Sequence, residues 1–115
     1  MRWPWHRRDA GLMAAGRLPR SHQWPAVRRA HLQAFPTCAA CGGTDALEVH
    51  HVLPYHVCPS AELEPANLLT LCAAGPSGMD CHLYWGHGGN WSDYVPTCPQ
   101  DATAALKRVA GRVRA

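Results

Sequence analysis

The run Leu47-Glu48-Val49-His50-His51-Val52-Leu53-Pro54 decides how this chain is read. From Leu47 into Val52 the residues alternate as in a short, half-buried strand. Adjacent side chains on a strand point to opposite faces, so His50 and His51 are expected to meet different surroundings. One ring can face a metal while its neighbour faces a substrate, or a carbonyl that orients it. Residues 53–66, with three prolines and acidic residues, form a loop, and Asn67-Leu68-Leu69-Thr70-Leu71-Cys72 follows as a second strand candidate. Cys81-His82 then opens a short helix that Gly88-Gly89 cuts off after His87.

Cysteines bracket this segment. Cys38-Ala39-Ala40-Cys41-Gly42-Gly43 is a knuckle in which the glycines let backbone amides turn toward thiolate sulfurs. Zinc prefers four tetrahedral thiolate or imidazole ligands, and such a knuckle supplies two adjacent corners. Cys72 and Cys81 are the candidates for the other two. The insert between them, Ala73 to Asp80, has loop composition and can bulge to leave the pair together. Buried thiols or a redox pair are the rival readings, but neither explains the glycines after Cys41 or the histidine after Cys81. Cys58 and Cys98 are left without a task.

At 115 residues the chain has room for one domain with a thin core, the size at which a metal or disulfides often supply the missing stability. The start, Met1-Arg2-Trp3-Pro4-Trp5-His6-Arg7-Arg8, lacks the apolar run of a signal peptide, and no segment approaches bilayer-spanning length. A cytoplasmic, reducing setting with no membrane partner is therefore expected, where a Cys-x-x-Cys pair binds metal more often than it forms a disulfide.

The net charge of +3 is unevenly spread. Residues 1–35 hold seven Arg (Arg2, Arg7, Arg8, Arg17, Arg20, Arg28, Arg29) against Asp9, giving +6. Residues 36–100 carry six acids and no Lys or Arg, and the tail from 101 returns to +3. A polyanionic partner would be gripped by the arms, with bound metal offsetting the acidic centre. Solvation of the ends is the plainer alternative.

The flanks complete an α+β plan. Residues 1–20 form a basic, flexible arm, and residues 21–99 a central domain. Ser21 caps a basic helix over about 22–34, with Trp24, Val27, Ala30, His31, Ala34 and Phe35 on one face and Arg28 and Arg29 on the other. A C-terminal helix occupies 100–115. Trp24 is expected in the helix core, and Trp85 and Trp91 are expected to seal the module.

Phosphodiester hydrolysis needs a base that deprotonates water near neutral pH and a Lewis acid for phosphate and departing oxygens. His51 as base, with His50 and His82 as metal ligands, meets both needs. Asn67 can tie down the long loop through its amide.

Together these residues resemble the HNH endonuclease family, the ββα-metal nucleases, over about 24–93. The resemblance rests on Cys38-x-x-Cys41-Gly42, Val49-His50-His51-Val52-Leu53-Pro54, Glu62-Leu63-x-Pro65-x-Asn67-Leu68-Leu69-Thr70-Leu71-Cys72 and Cys81-His82. It is closest to small phage- or prophage-type members, which share a run matching Gly86-His87-Gly88-Gly89-Asn90-Trp91. The resemblance implies a small zinc-stabilised ββα-metal domain that nicks DNA with a divalent metal (Mn²⁺, Ni²⁺, Mg²⁺ or Zn²⁺), leaving a 5′-phosphate and a 3′-hydroxyl. It implies His51 as general base, His50 and His82 as ligands, and Asn67 as the loop-fixing residue. Arg20, Arg28 and Arg29 are assigned to DNA phosphates, and weak sequence preference is expected.

Two departures from the family pattern matter. Many members carry Asp where this chain has His50, and imidazole there favours Mn²⁺ or Ni²⁺ over Mg²⁺. His87 lies five residues after His82 rather than four, so it can join the metal only if the helix opens near Gly86. The biological setting stays open among phage packaging beside a terminase, restriction and homing. A monomer or weak dimer is expected, since one site per chain gives nicks. The rivals are a non-catalytic zinc-stabilised DNA-binding module and a secreted disulfide scaffold.

Overall fold

In the computed structural model, residues 20–73 and 80–114 are described, with side chains through 111. The arm at 1–19 and most of the insert between Cys72 and Cys81 (74–79) lie outside the described residues.

Strands β1 (Leu47–His51) and β2 (Leu68–Cys72) pair antiparallel, with Leu47 opposite Cys72 and His51 opposite Leu68. The expected ends, Val52 and Asn67, fall just beyond the strands. They still continue the pairing, because Val52 N–H donates to the Asn67 carbonyl at 2.8 Å. Two 3₁₀ turns, Pro59–Ala61 and Pro65–Asn67, fold the connecting loop back on itself. Each begins with a proline, whose fixed φ suits a first helical position.

Helix α1 (Trp24–Ala34) packs on one face of this hairpin. The residue flanking its start is Gln23 rather than Ser21, but the Ser21 hydroxyl accepts the Gln23 N–H at 3.1 Å. None of its 11 residues is buried, and Phe35, just beyond its end, is 59% exposed. A two-stranded sheet is too small to cover such a helix end to end, so the apolar stripe is shielded mainly at Trp24, Val27 and His31. Trp24 is half-buried, its ring 4.4 Å from that of His51.

The other face carries a turn of π-helix, His82–Gly86, and behind it α2 (Cys98–Arg114). Helix α2 begins two residues before the expected start: Pro99 is tolerable in its first turn, and the Thr97 hydroxyl donates to the Asp101 carboxylate at 3.0 Å. It belongs to the same core as the hairpin. Ala102 and Ala105 are buried among Cys38, Ala40, Leu71, Cys72 and Cys81, and Trp85 packs against that cluster. Trp91, by contrast, stays 55% exposed and does not seal the module.

Candidate metal centres

The knuckle is held by backbone bonds. Cys38 N–H donates to the Gly43 carbonyl and Gly42 N–H to the Cys38 carbonyl, both at 2.8 Å. Gly42 sits at φ 77°, a conformation that glycine adopts without strain. Gly43 N–H points at the Cys41 sulfur at 3.4 Å, the amide-to-sulfur contact expected of such a turn. The end of β2 brings Cys72, and the residue before the π turn brings Cys81. The four sulfurs of Cys38, Cys41, Cys72 and Cys81 all lie within 4.8 Å of one another, close enough to bind a metal ion.

Zn–S bonds of about 2.3 Å put the corners of a tetrahedron about 3.8 Å apart. Cys41 and Cys72 have their sulfurs 3.7 Å apart. Burial, then the neighbouring sulfurs of Cys72, Cys38 and Cys41, push the Cys81 thiol far above its ordinary range. Such a cluster ionises fully only around a cation, so the donor set suits a tetrahedral metal.

A second group lies on the adjoining surface. His50 projects from β1 toward the π turn, which carries His82 and, just past it, His87. Ring nitrogens of all three lie within 4.8 Å of one another. The turn explains how His87 gets there. In a π-helix the repeat is i to i+5, so residues 82 and 87 share a face that an α-helix would deny them. Gly86 makes room, because a Cβ there would lie 3.0–3.1 Å from three atoms of the His50 ring.

Hydrogen bonds fix the tautomers. His82 Nδ1 lies 3.0 Å from the Glu48 carboxylate and His87 Nδ1 lies 2.7 Å from the Asp93 carbonyl. Both acceptors demand a proton on Nδ1, so in the neutral rings each Nε2 is a bare lone pair. Those two Nε2 atoms face each other at 3.3 Å, and His50 Nδ1 is 3.1 Å from that of His82. Facing lone pairs repel unless a cation lies between them. Metal–nitrogen bonds of about 2.1 Å separate neighbouring ligands by about 3.0–3.4 Å, and the His50–His82 and His82–His87 separations fall in that range. A carboxylate and a carbonyl behind the rings are the usual outer supports of metal-binding histidines. Burial, then the charges of His82, His87 and His51, push the His50 ring down to about 3, so it stays a neutral donor.

His51 faces the other way, toward α1 and the loop. Its Nε2 lies 2.9 Å from the Glu62 carbonyl, which requires a proton on Nε2 and leaves Nδ1 basic. Burial and the Arg20 charge lower its pKa, against the pull of that carbonyl. Asn67 is fully buried and staples the loop: its Oδ1 accepts Leu53 N–H at 2.7 Å, and its Nδ2 donates to the carbonyls of Leu53 at 3.0 Å and Ala61 at 3.1 Å.

Both histidine surfaces meet at one opening of about 330 Å³, whose lining includes Arg20, His51, His50, His82 and His87. Arg20 is held there by Nε donation to the buried Glu62 carboxylate at 2.8 Å and lies 4.3 Å over the Tyr55 ring. His56 is exposed at the same rim. Arg28 and Arg29 are not part of it; they line a separate shallow groove on α1 with Leu32 and Gln33. Sequence reasoning missed Glu48, the Glu62 carbonyl and carboxylate, and Asp93. Glu48 had a readable signal, since it sits two residues before His50 and so on the same strand face. The backbone carbonyls had none.

No protein-family model matches the chain, and no curated protein or solved structure shows significant similarity to it. Among the described residues no helix is long and apolar enough to cross a membrane.

Proposed function

We propose that this chain is a metal-dependent DNA endonuclease of the HNH, or ββα-metal, type, with zinc at the four cysteines. The observation carrying this reading is one opening shared by a histidine with a free ring Nδ1 and three histidines whose ring nitrogens converge, those of His82 and His87 as lone pairs. His51 takes a proton from water at Nδ1 while the Glu62 carbonyl holds the opposite nitrogen. The water oxygen bonds to phosphorus as the bond to the 3′-oxygen breaks with its electron pair, and the departing oxygen takes a proton from solvent, leaving a 5′-phosphate and a 3′-hydroxyl. His50, His82 and His87 would hold a divalent cation, which supplies Lewis-acid stabilisation of phosphate charge. Arg20, with Nε committed to Glu62, keeps its terminal guanidinium nitrogens for a phosphate oxygen. Asn67 fixes the loop from which Glu62 reaches His51.

The end chemistry tests this reading. Plasmid nicked by the protein should be resealed by DNA ligase without prior phosphorylation, as a 5′-phosphate and 3′-hydroxyl require. Nicks that resist ligase until their ends are repaired would contradict the proposed bond cleavage.

A further inference from the structure

Trp91 is a costly residue to leave in water, yet it is 55% exposed. It is also pinned. Asn90 Oδ1 accepts Ser92 N–H at 3.0 Å, and the Asn90 carbonyl accepts Asp93 N–H at 2.9 Å. Asn90 N–H donates to the His87 carbonyl at 3.2 Å, and the Asp93 carbonyl receives the His87 ring at 2.7 Å. The loop therefore holds an indole at the rim of the opening, near-perpendicular to His82 at 5.2 Å and tilted against His87 at 4.9 Å. Among the described residues lining the opening, the Tyr55 ring has Arg20 over one face, whereas the Trp91 indole is more than half exposed. An opening of about 330 Å³ is at the small end for ligand sites, which run about 300–1,000 Å³, and has room for a nucleotide-sized group.

We propose that Trp91 stacks on a nucleobase displaced beside the phosphate at the three-histidine centre, making DNA with an unpaired base at that step the preferred substrate. The inference rests on the nuclease reading and specifies its substrate class: single strands, mismatches or gaps ahead of uniform duplex. Stacking is the sequence-tolerant way to hold a base, because every base has a π-face. It is unavailable while the base is paired within a helix. Arg20, which lines the same opening, would meet the adjoining phosphate.

The test uses one labelled oligonucleotide sequence presented as single strand, mismatched duplex, full duplex, and single strands with an abasic position at each step in turn. Wild type, Trp91→Ala and Trp91→Phe are compared with Mn²⁺, with bound metal measured in each. Wild type should cut the single strand and the mismatch about tenfold faster than the full duplex, a factor within reach of one stacked base. That preference should vanish in Trp91→Ala and largely persist in Trp91→Phe. One abasic position should slow wild type about tenfold and leave Trp91→Ala unaffected, the signature of a direct pair. Equal cutting of duplex and single strand by wild type would overturn the inference. So would a uniform loss in Trp91→Ala, or metal loss without any change in preference, since Trp91 would then only steady His82 and His87. No cleavage of any substrate by wild type would remove the nuclease reading, and this inference with it.

Discussion

Burial holds three histidines at the opening, His50, His51 and His87, toward their neutral form, and that makes the fold sensitive to acid. His50 is pushed from 6.5 to about 3, and His51 and His87 are lowered by the same dominant cause. Below 6.5 the unfolded chain takes up protons that these folded rings refuse, so the unfolded state binds more of them. Stability is therefore fully present above that value and falls as pH is lowered toward 3. Thermal melts of metal-stripped protein should show the midpoint dropping steadily from pH 7 to pH 5; a midpoint that rises would contradict this. Asn67 offers a second residue-scale outcome. Asn67→Ala leaves buried backbone groups of Leu53 and Ala61 unpaired, each at a cost of about 1–3 kcal/mol. Denaturant unfolding should register a loss of about 3 kcal/mol, and a change below about 1 kcal/mol would deny the loop its staple. Gly86→Ala is the steric counterpart. Its new Cβ would press on the His50 ring at 3.0–3.1 Å, so affinity for Mn²⁺ should fall at least about tenfold by calorimetry while zinc content holds. Unchanged Mn²⁺ affinity would show that His50 has room to spare.

Two of the elements that build the site are legible in the sequence and one is not. The strands are legible because Leu47 to Val52 alternates, and because a loop holding three prolines separates that run from Leu68–Cys72. The knuckle is legible because Cys-x-x-Cys followed by glycines has few other physical uses. The turn before His87 is not legible as a π turn: Gly86 marks where the helix can open, but its winding is hidden. Nothing in Leu83-Tyr84-Trp85-Gly86 states a five-residue repeat, and the wider winding depends on tertiary contacts: Cys81 in the core, Gly86 against His50, and Asp93 behind His87. Helix α1 shows the opposite error, a sequence stripe that suggests more burial than a two-stranded sheet can give. The turn also couples the two candidate metal sites, since Cys81 and His82 are consecutive. Cys81→Ser should therefore lose the tightly held zinc, and with it the alignment of His82 and His87, abolishing Mn²⁺ binding as well. Metal analysis after dialysis would show two metals per wild-type chain in added Mn²⁺ and none in the variant. A variant that keeps full Mn²⁺ binding without zinc would separate the two centres.

For the whole molecule, charge is divided between arms and centre. Residues 36–100 carry six acids and no Lys or Arg, and among the described residues Arg20 is the cationic side chain lining the opening. Arg28 and Arg29 stand apart on α1, and Arg2, Arg7, Arg8 and Arg17 lie outside the described residues. Removing residues 1–19 should weaken DNA binding at low salt. It should also flatten the dependence of log affinity on log salt, by about one unit for every phosphate that the arm neutralises. Affinity and slope that survive the truncation would leave the arm as a solvated end. Hydrolysis itself is reported directly by a supercoiled plasmid. Chelator-treated protein that keeps its zinc would be given Mg²⁺, Mn²⁺, Ni²⁺ or Zn²⁺ beside His51→Ala. No nicking is expected without added metal, nicking should be strongest with Mn²⁺ or Ni²⁺, and the variant should lose at least about a hundredfold. No cleavage with any metal, from protein that still holds zinc and retards DNA on a gel, would contradict the nuclease reading and make the chain a binding module.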